Sequence, residues 1–267
     1  MNPMAVKKNT KIKNFLSQQL YKIGYDLRKF NVAHIEGFLG FDLFHDINYL
    51  MGGKPLNVVD VGACNGEWAT ELADYLDSGI NRYMGFEPDP RVFDELVQRV
   101  GRNSKIGQAE NRMIAIGKVE ETRKFNLMSS SSMNSLLELG KFGWGSKVSE
   151  IEVSVVTLDS QLDGAEEWDI LKIDTQGFDF EVLKGATDLI QQSVFSFITL
   201  EVNFIEIYEE IPDFPELVQL MNKNGYDIFG FYYPHTRGLT LAWCDIAFIS
   251  KKWATTNSGI LKRTQGM

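Results

Sequence analysis

The sequence is poor in cysteine, in long apolar runs and in any surplus of positive charge. Cys64 and Cys244 are the only cysteines among 267 residues. A disulfide across so wide a separation is not called for, and a reducing compartment is the simpler reading. No apolar run reaches the roughly 20 residues of a membrane-spanning helix. The basic residues near the N-terminus are not followed by the apolar stretch that a secretory leader needs. These absences lead to the expectation of a soluble, cytoplasmic protein. The net charge of −9 argues against a whole-protein nucleic-acid footprint, which needs a basic face, so no nucleic-acid partner is expected. Internal repeats and an inter-domain linker are also missing.

What is present falls into three expected parts. Residues 1–50 form an N-terminal helical extension, residues 51–253 the main domain, and residues 254–267 a tail. From Lys7 to Lys29 the extension carries Lys7, Lys8, Lys11, Lys13, Lys22, Arg28 and Lys29 against the single acid Asp26. Its apolar residues Ile12, Phe15, Leu16, Leu20, Ile23 and Leu27 recur at helical spacing. An amphipathic basic helix follows, either packed on the domain edge or making peripheral contact with an anionic membrane.

From Leu56 onward strands and helices alternate. Strand Asn57–Val61 is followed by helix Glu67–Leu76, strand Arg82–Phe86 by helix Pro90–Val100, and strand Arg112–Ile116 comes next. After a serine-rich interruption, strands Glu152–Thr157 and Ile170–Ile173 lead to helix Phe178–Ile190 and strand Val194–Glu201. Helix Phe214–Asn224 and strands Tyr226–Phe231 and Cys244–Ile249 close the domain. This alternation predicts a doubly wound, mostly parallel sheet in the α/β class.

Ligands of such sheets bind beyond the carboxyl ends of the strands. The first strand ends in Asp60 and a turn, Gly62-Ala63-Cys64-Asn65-Gly66. Its spacing is not the G-x-G-x-x-G of a dinucleotide site. An adjacent carboxylate would repel a pyrophosphate but suits a cationic ligand such as S-adenosylmethionine. The second strand ends in Glu87 and Pro88, and Glu87 stands 21 positions after Gly66. That is close to the offset of about 20 expected for an acid that accepts ribose hydroxyls. A nucleotide-dependent oxidoreductase of similar architecture is the competing enzyme reading.

The stretches VVDVGACNGEWA, GFEPDP, AIGK, SSSSMNSLLE, VVTLDSQL, ILKIDTQGFDFEVLKGA and FITLEV occur in this order. Together they resemble the FkbM family of S-adenosylmethionine-dependent methyltransferases, over roughly Leu56 to Ser250. The resemblance implies a class I methyltransferase, Rossmann-like fold: a seven-stranded sheet whose last strand is antiparallel. It also implies O-methyl transfer to a hydroxyl of a sugar, glycan or secondary metabolite. The expected cofactor residues are Asp60, Gly62, Ala63, Asn65, Gly66, Glu87, Pro88 and Asp174, with Ala115 and Ile116 lining the adenine pocket.

Asp174, at the end of its strand, is the leading base or acceptor-orienting group; the other reading makes it a helix cap. The family's IDVEG has a glutamate where this chain has Gln176. An amide orients a hydroxyl but does not take its proton near neutral pH, and the replacement keeps open a cofactor-binding module without turnover. His235, expected in a loop, is an alternative base or an exposed loop histidine. Asp174, Glu201 and Asn203 have a spacing that permits Mg²⁺ without requiring it, and no metal residue is assigned. Ser129–Ser132 is either a solvated loop or a hydrogen-bonding wall of the site.

Overall fold

The structure, a computed structural model, describes residues 39, 40, 42–162 and 167–257. The basic segment Lys7–Lys29 lies outside the described residues. In chain order, α1 (Leu43–Met51) precedes β1 (Leu56–Val61), α2 (Glu67–Tyr75), β2 (Ile80–Phe86) and α3 (Pro90–Arg102). Four strands follow: β3 (Ile106–Arg112), β4 (Ala115–Ile116), β5 (Glu121–Met128) and β6 (Lys147–Val156). Then come β7 (Trp168–Ile173), α4 (Asp179–Lys184), α5 (Thr187–Gln191) and β8 (Phe195–Asn203). The last elements are α6 (Phe214–Lys223), β9 (Tyr226–Arg237), β10 (Thr240–Ser250) and α7 (Lys251–Thr256).

Seven strands form one sheet in the order β3-β2-β1-β7-β8-β10-β9. β1, β2, β3, β7 and β8 pair in parallel, while β10 is antiparallel to both neighbours. The expected doubly wound, mostly parallel sheet with an antiparallel last strand is therefore present. All six residues of β7 are buried, as a central strand covered on both faces requires. Adjacent residues of β1 feed opposite cores. Val58 packs with α1, α2 and α3, and Val59 packs with α4, α5, α6 and a second small sheet. That small sheet has the order β4-β6-β5.

The helix starts follow local chemistry. Asp89 caps α3 by accepting the Arg91 N–H at 2.8 Å, and Pro90 occupies the first turn. At the far end of α6, Gly225 takes φ +83°, the left-handed geometry that closes a helix.

Several elements depart from expectation. The third strand of the main sheet is β3, not Arg112–Ile116; Ala115–Ile116 belongs to the small sheet. β3 is an edge strand whose middle is exposed, so its sequence IGQAENR shows no apolar alternation to read. Helix Phe178–Ile190 is broken at Gly185–Ala186 into α4 and α5. A Cβ on Gly185 would lie 1.9 Å from the Gly117 carbonyl, so two segments of backbone touch there. β9 and β10 run into one hairpin that turns at Gly238, which puts His235 on a strand rather than in a loop. The boundary expected between residues 50 and 51 falls inside α1, whose Leu43, Ile47 and Leu50 are buried with β1.

Candidate active site

Beyond the carboxyl ends of β1, β2 and β7 lies a cavity open to solvent. The turn after β1 shapes it. Gly62 has φ +76°, and a Cβ there would lie 1.9 Å from the Asp174 carbonyl. A side chain is thus excluded first by the neighbouring strand end. Gly66, at φ +79°, packs against Leu96 and Val100 of α3. Cys64 lies between them at φ +48°, and its thiol is pushed above the usual range by burial.

Glu87 is the anchored acid of the cavity. It is 6% exposed and accepts the N–H groups of Cys64 and Asp89, both at 2.8 Å. Burial pushes its carboxyl up to about 7 against the pull of those two donors. Pro88, Ala115 and Ile116 line the cavity with it, as expected. Phe86, Ile114, Phe125 and Leu136 complete an apolar wall, and Ser131, Ser132 and Asn134 a polar one. The serine stretch therefore contributes to the site. Asn134 donates to the buried Asp89 at 2.6 Å, and Arg91 clasps the same carboxylate. This ties the serine loop to the start of α3.

Four expected cofactor residues do not line the cavity. Asp60 is fully buried. It receives the Tyr83 hydroxyl at 2.9 Å and pairs with Lys172 Nζ at 3.0 Å, so its charge is already met inside the protein. Ala63 is buried in the core beneath the turn, and Gly66 is a packing glycine. Asn65 accepts the Glu67 N–H at 3.3 Å and reaches Glu95, acting on the helix start. The sequence reads these four as ligand contacts because it locates the turn without showing which way each group faces.

The opposite wall is built from the strand end after β7. Asp174, Thr175 and Gln176 line the cavity. The Asp174 side chain is 44% exposed, with Oδ2 3.8 Å from Lys172 Nζ. Gln176 donates from Nε2 to Asp174 Oδ1 at 2.7 Å, and Tyr208 donates to Gln176 Oε1 at 2.6 Å. Asp174 does not cap α4. No side chain caps that helix; Asp179, its first residue, accepts the Thr175 and Gly177 N–H groups of the turn before it. Lys172 is 6% exposed and also donates to the Gly62 carbonyl at 2.7 Å. Although burial opposes it, Asp60 and Asp174 hold its ammonium above the usual range.

Further acids stand near Asp174. Burial and the Asp174 charge push Asp179 and Asp245 up to about 7 each. The same causes raise Glu201 well above the usual carboxyl range. Glu201 and Asp245 face each other across β8 and β10. Among the described residues, no three His, Cys, Asp or Glu side chains are gathered to hold a metal ion. His235 is exposed, and its ring stacks on Trp243 with centroids 4.6 Å apart. It does not line the cavity, which corrects its reading as an alternative base.

Glu87, Asp179 and Asp245, all near 7, give stability a definite pH trend. Unfolded carboxyls titrate near 4. Between about 4 and about 7 the folded chain therefore holds more protons than the unfolded one, and stability falls as pH rises. The melting temperature is expected to decline from pH 5 to pH 8 without ligand, and Glu87→Gln should flatten the decline. A melting temperature that climbs over this range would contradict the shifts.

The strand order, the single antiparallel strand and a cavity beyond the first two parallel strands together define the class I methyltransferase fold. The sequence pattern of the Methyltransferase FkbM domain matches residues 60–228, more than half of the chain. The chain belongs to this family. Methyltransferase FkbM from Methylobacillus flagellatus KT shares the fold, with 17% identity and a TM-score of 0.50. The match covers 72% of this chain and 43% of that protein, so the chain spans less than half of the relative's length. Two further solved structures are similar at lower scores. One is magnesium protoporphyrin IX methyltransferase from Synechocystis PCC 6803, at 10% identity, coverage of 89% and 96%, and a TM-score of 0.44. The other is a putative tRNA (m1A22) methyltransferase from Streptococcus pneumoniae, at 8% identity, coverage of 83% and 85%, and a TM-score of 0.45. No curated protein matches the chain.

Proposed function

We propose that the protein is an S-adenosylmethionine-dependent O-methyltransferase acting on a hydroxyl of a sugar, glycan or secondary metabolite. The observation that carries this reading is a half-exposed carboxylate, Asp174, on the wall of the cavity opposite Glu87. Net charge −9 supports a small-molecule or glycan acceptor over a nucleic acid.

The cavity's residues fit the cofactor. Glu87 spends one lone pair of each oxygen on a backbone N–H, and its remaining lone pairs suit two ribose hydroxyls. Phe86, Ile114, Ala115, Ile116, Phe125 and Leu136 offer an apolar slot for a purine. S-adenosylmethionine, when bound, supplies an electrophilic methyl group on a sulfonium.

The chain's own residues then have separate tasks. Glu87 and the apolar wall fix the donor. Asp174 orients the acceptor hydroxyl and takes its proton as the oxygen attacks. Lys172 and Gln176 hold Asp174 in place from its two oxygens. Gln176 itself remains neutral and moves no proton.

Isothermal titration tests the donor side. Glu87→Ala is expected to weaken S-adenosylmethionine binding by about 1.5–3 kcal/mol, roughly ten- to a hundredfold, through loss of charged hydrogen bonds. Unchanged affinity in a folded variant would remove Glu87 from the site. The acceptor side needs a screen of hydroxylated sugars, glycans and lipids, scored by mass spectrometry for O-methyl product and S-adenosylhomocysteine. Methyl transfer confined to amines or carbon would overturn the O-methyl reading. Cofactor binding without turnover on any acceptor class would favour a binding module instead.

A further inference from the structure

We propose that Tyr208 is a positioning residue for Asp174, acting through the side-chain amide of Gln176. The proposal rests on the reading of Asp174 as the group that meets the acceptor, and adds what fixes that group.

Gln176 is presented from a strained turn. Its φ is +56° and that of Gly177 is +93°; a residue with a long side chain adopts the left-handed region only when its surroundings force it there. Three hydrogen bonds do so. The Gln176 carbonyl accepts the Ser135 hydroxyl at 2.7 Å, its Oε1 accepts Tyr208, and its Nε2 donates to Asp174.

The orientation of the amide follows from what each partner can do. An ionised carboxylate only accepts, so the NH₂ end must face Asp174. The carbonyl end then faces Tyr208, whose hydroxyl must donate. Tyr208 cannot swing away, because it is 1% exposed and its ring lies flush on Gly177. A Cβ at Gly177 would meet that ring at 2.8 Å, which gives this position a reason for glycine beyond its φ.

A glutamate at 176 would set a carboxylate against Asp174, in a region where Asp179, Glu201 and Asp245 already crowd. A neutral amide supplies a donor without adding charge. Held this way, Oδ1 of Asp174 is committed to Gln176. Oδ2, which among the described residues has only the more distant Lys172 beside it at 3.8 Å, remains to receive the acceptor hydroxyl.

The test uses full-length protein carrying Tyr208→Phe, Gln176→Met and both together. Tyr208→Phe keeps the ring that packs on Gly177, and Gln176→Met keeps side-chain volume. The first readout needs no acceptor: the ¹⁵N-resolved side-chain amide of Gln176 in the nuclear magnetic resonance spectrum. Its proton bonded to Asp174 should resonate downfield in the parent and move upfield in Tyr208→Phe. The second readout is turnover with an acceptor from the screen. Tyr208→Phe should lower kcat about tenfold, the scale of one lost hydrogen bond, with the KM for S-adenosylmethionine within about twofold. In the Gln176→Met background the same change should do nothing more, because its route is gone. Equal losses from Tyr208→Phe in both backgrounds, or an unmoved amide proton, would overturn the proposal. A shifted amide proton with no methylation of any hydroxyl would leave the relay standing and overturn the O-methyl reading instead.

Discussion

Asp174→Asn is expected to lower kcat by roughly two or more decades, the scale of a lost general base, while leaving S-adenosylmethionine affinity nearly intact. The substitution keeps the shape and removes the charge. The Asp174 side chain is 44% exposed, which leaves it open to an acceptor, and Glu87 lines the other wall of the cavity. The competing part, capping α4, is not played by Asp174, since no side chain caps that helix, so the variant should melt close to the parent. An amide at 174 would also turn one of its own NH₂ protons or its weaker carbonyl toward the Gln176 donor. Some loss of positioning therefore adds to the loss of the base. The measurements are steady-state rates with the screened acceptor, calorimetric cofactor binding and a thermal melt. Near-parental turnover in a folded Asp174→Asn enzyme would end the assignment. Loss of parental activity in EDTA, restored by Mg²⁺, would give the proton's removal to a bound cation. His235→Ala should leave kcat within about twofold, since surface substitutions away from the chemistry act weakly and His235 is exposed against Trp243.

The parts of the fold legible in the sequence are those with a strong period or a strong stop. β1 and β7 read as strands because Val, Ile and Leu dominate them, as burial on both faces requires, despite Asn57 and Asp60 in one and Asp169 and Lys172 in the other. α3 announces itself through Asp89 and Pro90. β3 and β5 were hidden for opposite reasons. β3 is exposed along its middle, and β5 buries only its second half, so neither shows regular alternation. Missing β5 also concealed Phe125 as a wall of the cavity. For the site, position was legible and direction was not. Glu87, Asp174 and Gln176 stand at strand ends and do face the cavity. Asp60 stands at a strand end too, yet faces Lys172 across the sheet. Nothing in a single sequence distinguishes these cases, because a strand end fixes depth in the sheet while facing depends on what lies beside it. Tyr208 had no signal at all. It reaches Gln176 from a loop after β8, 32 positions away.

Lys172→Met is expected to cost about 3–5 kcal/mol of stability, the usual result of breaking a buried ion pair from one side. Lys172 and Asp60 are 6% and 0% exposed, so no water takes over when the ammonium is removed. Asp60 would retain only the Tyr83 hydroxyl on Oδ2, with Oδ1 left as an uncompensated buried oxygen. The Gly62 carbonyl would lose its donor as well, at the point where the turn presses on the Asp174 backbone. For a domain above 150 residues, such a loss corresponds to a drop in melting temperature of roughly 10 °C. Asp60→Asn together with Lys172→Met should recover part of it, since the stranded charge is then gone. The same pair of variants decides what Asp60 is for. A carboxylate that held the cationic end of the cofactor would give an Asp60→Asn protein of normal melting temperature and poor S-adenosylmethionine affinity. A carboxylate that exists to meet Lys172 beneath the turn gives the reverse: an earlier melt, with affinity close to the parent wherever the variant is folded. A Lys172→Met protein melting within a degree or two of the parent would remove the buried pair from the account of why the turn after β1 and the strand end after β7 stay together.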